Sequence, residues 1–289
     1  MRPMFLAAPP TTTGRTAATL PFSQVNHHIF GPGRTYTLEG THIYFADLAR
    51  LYGLTHGDDY FDGLTRNSFT EMAGEAVAPF TAGDPFDLVI MAHSTPDPEP
   101  GWPGPSLTQA LPGGPLAFGI AEQGTAATAT ALRVAAEYAA SAGTGRSLVL
   151  ALEQSVLLHD LPLPDGVVPP ARDAVAALVL DPADPAGTVT PRQYADVALR
   201  DVPALLGEAH GAGRNAITGQ GLDPERDVPA DWQAGAAPSG LPATGIWAAL
   251  ARELPALRAG EGGLVLADYD RELRYLHTYE ITFGAERPA

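Results

Sequence analysis

Phe118-Gly119-Ile120-Ala121-Glu122-Gln123-Gly124-Thr125-Ala126 is the stretch on which the reading of this chain turns. Residues 116–121 are apolar and strand-like, a tight turn follows, and residues 125–142 form an alanine-rich run at helical spacing. Side chains this small let a helix pack closely on more than one face, as a helix at the centre of a layered fold does.

The segments around it repeat the theme. Phe86-Asp87-Leu88-Val89-Ile90-Met91-Ala92 is a continuous apolar run that opens into His93-Ser94-Thr95-Pro96-Asp97, the pattern of a strand buried on both faces. Residues 146–152 and 174–180 read as neighbouring strands. Helical spacing appears over residues 38–54 and 70–80, the second with Ser68 or Thr70 as its cap, whereas residues 98–115 are so rich in proline and glycine that a loop is expected. Further on, helices are expected over 193–206 and 244–257, and strands over 215–219, 263–268 and 274–283. The same order of elements in both halves predicts an α/β protein with layers around buried sheets. Residues 1–20 are expected to be a loose lead-in, 21–180 a first half and 181–289 a second.

Composition narrows the chemistry. The chain has 289 residues, 45% of them hydrophobic, enough for a large core. It holds no cysteine, and all 17 of its basic residues are arginine. Thiol nucleophiles, thiolate metal sites, disulfides and lysine Schiff bases are therefore excluded. A formal net charge of −16 opposes binding to nucleic acid or to an anionic membrane surface. No apolar run reaches the roughly 18 residues needed to span a bilayer, and the first ten residues lack a signal-peptide core. These features predict a soluble cytoplasmic protein.

Taken in order, residues 70–97, 118–136, 147–153, 172–180 and 240–279 resemble the thiolase-like superfamily, in particular the ketoacyl-carrier-protein synthase III type. The resemblance implies a thiolase-like fold of two similar halves in α/β/α/β/α layers. It further implies a Cys nucleophile at a helix N-terminus, with a His and an Asn that stabilise a thioester enolate. Carried onto this chain, the Cys falls on Gly124 or Thr125 according to the direction of counting. The His falls on Gly219, beside Gln220, in Ile217-Thr218-Gly219-Gln220, and the Asn turn corresponds to Pro238-Ser239-Gly240-Leu241-Pro242-Ala243-Thr244. Each position lacks the family's residue. Glycines there leave space that either widens a tunnel or is filled by neighbours.

Three side chains offer other chemistry. Gln123 is similar to the glutamine that replaces the Cys in some decarboxylating relatives, and it also reads as a turn residue. Thr125 is either a helix cap or a hydroxyl nucleophile with His93 or His159 as its base. His93 stands at the C-terminal end of a buried strand, where α/β proteins place ligands, or is simply a loop histidine. Asn26-His27-His28 and His56-Gly57-Asp58-Asp59 hold metal-ligand types without a converging second cluster, so no metal or other cofactor is expected. His210-Gly211-Ala212-Gly213-Arg214-Asn215 reads as a helix-ending turn rather than a phosphate loop.

The expected role is that of a synthase III-like protein degenerate as a condensing enzyme. It would serve as a non-catalytic partner or acyl-binding subunit in polyketide or lipid biosynthesis, with Gly124, Gly219 and Gln220 lining the acyl site. The alternative is an acyltransferase, thioesterase or decarboxylase that uses a rearranged site. Expected partners are a second copy or a ketosynthase, and an acyl-CoA or acyl-carrier thioester. The family's dimers pair at the strand corresponding here to residues 116–120.

Overall fold

The computed structural model describes residues 15–283, except 17, 36–61 (of which only 43, 47 and 50 are placed), 98–100, 144, 158–162, 164, 212 and 260–262. The helix expected over 38–54 lies almost wholly outside the described residues, as do His56 and His159.

The first half contains β1 (Arg15–Thr16), β2 (Leu20–Ile29), β3 (Arg34–Thr35), β4 (Thr65–Arg66), helix α1 (Phe69–Val77), β5 (Leu88–His93), α2 (Pro103–Ala110), β6 (Leu116–Ile120), α3 (Ala127–Ala142), β7 (Ser147–Glu153) and β8 (Ala174–Leu180). The second contains β9 (Gly187–Tyr194), α4 (Val202–His210), β10 (Asn215–Thr218), β11 (Gln233–Ala236), α5 (Gly245–Ala259), β12 (Gly263–Asp270) and β13 (Tyr275–Thr282).

Ten of the strands lie in one path, β11-β10-β12-β13-β9-β2-β8-β7-β5-β6. Counted within its own half, each set of five follows the same order: third, second, fourth, fifth, first. In both halves the fifth strand runs antiparallel to its two neighbours, while the second, third and fourth are mutually parallel. The halves meet where the two first strands pair antiparallel, from Leu20 opposite Val189 to Phe22 opposite Gly187. One topology is thus used twice.

Three apolar cores separate the layers. The middle one holds α3 and α5 between the two half-sheets, with Leu132, Trp247, Leu250 and Tyr279 among its members. One outer core packs α1 and α2 on the far face of the first half, and the other packs α4 on the far face of the second. Alternation along β5 explains its unbroken apolar sequence: Leu88, Ile90 and Ala92 enter the middle core, and Val89 and Met91 enter the outer one. Burying a Leu, Ile, Val or Met side chain contributes about 1.5–3 kcal/mol, so four such positions on one short strand favour it decisively over an exposed alternative.

Two expectations need correction. The proline-rich segment 98–115 contains the helix α2, because Pro103 opens it, where a missing N–H removes no helical bond, and Leu107 and Leu111 bury one side. Residues 193–206 are not one helix: Gly187–Tyr194 is a strand and the α-helix begins only at Val202. Thr188, Val189 and Thr190 supply β-branched residues, and Pro191 falls between the stretches paired to β2 and β1, where no described residue pairs with that edge. By contrast, α1 begins one residue after Ser68, whose hydroxyl accepts from Glu71 N–H while the Glu71 carboxylate accepts from Ser68 N–H.

Candidate functional site

A cavity of about 330 Å³ opens where β5, β6, β10 and β12 end, the edge at which sheets of this class hold ligands. Its polar floor carries Thr125, Gln220, Asp268 and Asp270, and its apolar wall comes from Leu157 and the segment around Val168.

The floor is built around two glycines. Gly124 has φ of 53°, in the region that disfavours any side chain, and a Cβ there would lie 1.7 Å from Asp270 Oδ2. Gly219 is equally committed: its Cβ would lie 2.1 Å from Asp268 Cγ. Two carboxylates therefore occupy the places into which side chains at 124 and 219 would project. Of the two outcomes expected for the space at these glycines, filling by neighbours is the one realised.

The two aspartates differ in environment. Asp270 Oδ2 accepts from Thr125 N–H at 3.1 Å, and its Oδ1 accepts from Glu272 and Leu273 N–H at 3.1 and 2.8 Å. It anchors the turn after β12 to the start of the helical segment, where a negative charge is favoured. Asp268 is 1% exposed. Its Oδ1 accepts from Gly221 and Tyr269 N–H at 2.9 and 2.8 Å. Facing that carboxyl is His277 Nε2, 4.0 Å from Asp268 Oδ2. Burial pushes the Asp268 carboxyl up to about 7 against the hydrogen bonds that favour its ionised form, and the Asp270 charge adds to the rise. The same burial drives His277 down to about 3, so the imidazole is neutral.

Thr125 does not cap the helix. The one-turn 3₁₀ segment Gly124–Ala126 and α3 have no side-chain cap, and Asp270 takes the Thr125 N–H instead. The Thr125 hydroxyl is buried without a normal hydrogen bond, close enough to Asp268 to favour its ionised form. Gln123 and His93 do not line the cavity. The Gln123 side-chain oxygen accepts from the Thr130 hydroxyl, which fixes it along α3. The His93 ring is 2.7 Å from the Thr95 carbonyl through Nδ1 and packs on Phe69 at 4.9 Å, and burial lowers its pKa. Gln220 lines the floor while its amide donates to the Pro238 carbonyl at 3.2 Å. Of the residues singled out from the sequence, Gly124, Thr125 and Gln220 line one cavity, and Gly219 lies against its aspartate.

Sequence reasoning missed Asp268 and Asp270. The signal was an apolar strand ending in Asp268-Tyr269-Asp270 at the ligand-binding edge of the sheet. It also missed Glu153, the last residue of β7, which holds the other central helix. Its carboxylate accepts from Ala243 N–H at 2.9 Å, from Thr244 N–H at 3.0 Å and from the Thr244 hydroxyl. Burial raises Glu153 to about 7. Among the described residues no group of three or more His, Asp or Glu is placed to hold a metal ion, and no helix is long and apolar enough to cross a membrane.

No family model and no curated protein sequence matches the chain. Solved structures do. A ChlB3 acyltransferase shares 15% identity at a TM-score of 0.59, over 92% of this chain and 98% of that one. The AbyA1 tetronic acid condensing enzyme shares 14% at 0.61, over 92% and 100%. The 3-oxoacyl-[acyl-carrier-protein] synthase III of Aquifex aeolicus VF5 shares 14% at 0.54, also over 92% and 100%. At these identities the likeness establishes the fold: the chain has the thiolase-like architecture of synthase III enzymes.

Proposed function

We propose that this chain is a synthase III-like protein degenerate as a condensing enzyme, which binds an acyl thioester and acts as a partner subunit in polyketide or lipid biosynthesis. The observation that carries this reading is the filling of the Gly124 and Gly219 positions by Asp270 and Asp268. A thiolate and an enolate-binding imidazole have neither the residues nor the room.

The remaining cavity suits an acyl group. Its apolar wall accepts a hydrocarbon segment, and its volume fits a short chain better than a long one. Condensing-enzyme and acyltransferase activities belong to the structural neighbours, and acyl binding is the element of them that needs no thiol. Partner binding draws support from β6, which ends the sheet with one edge unpaired among the described residues and Leu116 half exposed. A second copy or a ketosynthase would pair there.

Calorimetric titration with a short acyl pantetheine thioester, followed by addition of a malonyl thioester, tests the reading. Binding without a new carbon–carbon bond is expected. A β-ketoacyl product from the purified chain would overturn it, as would failure to bind any acyl thioester. Sedimentation of the chain alone and with a ketosynthase from the same organism separates the two partner options.

A further inference from the structure

The strongest unassigned feature is a buried hydroxyl beside a buried carboxyl. Thr125 stands at the start of a helical segment without capping it, and its hydroxyl is buried without a normal hydrogen bond. Asp268 is 1% exposed, lines the same cavity and lies close enough to the Thr125 hydroxyl for that hydroxyl to favour its ionised form. A buried hydroxyl left this way costs roughly 1–3 kcal/mol, so its persistence beside a buried carboxyl at a ligand cavity calls for a use.

We infer that Thr125 is a hydroxyl nucleophile and Asp268 its general base, and that together they accept an acyl group from a small, uncharged or cationic acyl thioester. This rests on the reading that the cavity binds such a thioester. In the step, Thr125 Oγ1 attacks the thioester carbonyl carbon as the Asp268 carboxylate takes the hydroxyl proton. The carbon–sulfur bond then breaks, and the proton passes from Asp268 to the leaving thiolate. The products are an acyl ester on Thr125 and a free thiol. Attack on that ester by water or an acceptor alcohol, with Asp268 again taking the proton and returning it to Thr125, completes an acyl transfer.

Three further observations fit. Asp268 has a pKa of about 7, so at neutral pH it is part ionised and able to return the proton. His277, neutral and buried behind it, leaves the proton with the carboxylate rather than competing for it. The thioester's charge class follows from Glu122, Asp268, Asp270 and Glu272 around the cavity, opposed by Arg271 alone among the residues that line it. Anionic carrier groups are disfavoured close to the floor.

The experiment uses the full chain with acetyl and butyryl N-acetylcysteamine thioesters, which are neutral and short. Binding is read by calorimetry, turnover by thiol release, and covalent state by intact mass with peptide mapping. Expected is one acyl group on the peptide containing Thr125, absent in Thr125→Val, with thiol release cut roughly a hundredfold in Asp268→Asn while both variants still bind. Binding without acylation or thiol release overturns this inference and leaves the acyl-binding function standing. Acylation at another residue overturns it too. No binding at all defeats the acyl-binding reading itself.

Discussion

Glu153 and Asp270 do the same work in opposite halves of the molecule. Each is the last residue of its half's fourth strand, and each sets a carboxylate on the N–H groups that open the other half's central helix: Glu153 on Thr244 at 3.0 Å, and Asp270 on Thr125 at 3.1 Å. The duplicated topology thus carries a duplicated polar lock, in which each sheet ties down the helix that belongs to its partner. The locks differ in access: Asp270 lines the cavity, whereas Glu153 and Thr244 are fully buried.

Removing the buried lock is predicted to be expensive. Glu153→Ala strands two backbone N–H groups and the Thr244 hydroxyl in the core, at a cost of about 3 kcal/mol. Glu153→Gln keeps one acceptor oxygen in place and is expected to cost less than half as much at pH 8. Urea unfolding of the two variants checks the ratio, and equal losses would show that the carboxylate is not the group that holds α5.

Asp268 makes the stability of the protein sensitive to pH in a defined window. Its folded pKa of about 7 lies above the ordinary aspartate value of 3.8, so between these values the folded state holds a proton that the unfolded chain has released. Stability from this group falls as pH rises through the window and levels off above 7. Asp268→Asn removes that dependence, so the variant gains on the parent by on the order of 1 kcal/mol per pH unit from about 4 to 7, then no further. His27, His210 and His277, whose folded pKa values are lowered by burial, act in the opposite direction in both proteins. The difference between the two unfolding curves is therefore the quantity to measure, and a difference independent of pH contradicts the assignment.

The capping box at α1 gives a local test. Ser68→Ala removes the acceptor for Glu71 N–H and loosens the reciprocal bond, costing about 1 kcal/mol. Thermal unfolding would register this as a lowered midpoint with the site's ligand binding intact.

How much of this was legible in the sequence varies with the range of the interaction involved. The strands β5, β7 and β8 were readable because burial on both faces forces an unbroken apolar run, and α3 because a helix between two sheets must be small on several sides. Strand β2 was not, since Ser23, Gln24, Asn26, His27 and His28 interrupt its pattern: it pairs antiparallel along β8 and turns only part of itself into the core. The absence of any thiol was certain from composition. What fills the site was hidden, because Gly124 meets Asp270 only after the two halves fold together, and Gly219 meets Asp268 only once β10 and β12 pair. A glycine in sequence reads as a missing side chain, and here two of them are the sockets for carboxylates from a distant strand.

The most direct measurement is a double-mutant cycle on the first socket. Gly124→Cys alone must force a side chain into positive φ and against Asp270 Oδ2, and is predicted to cost roughly 3 kcal/mol. Asp270→Gly alone loses the three hydrogen bonds that Asp270 accepts, and the double variant is predicted to be more stable than the sum of the two losses by at least about 1 kcal/mol, because the cysteine then enters vacated space. Additive losses would contradict the claim that Asp270 occupies the place into which a side chain at 124 would project.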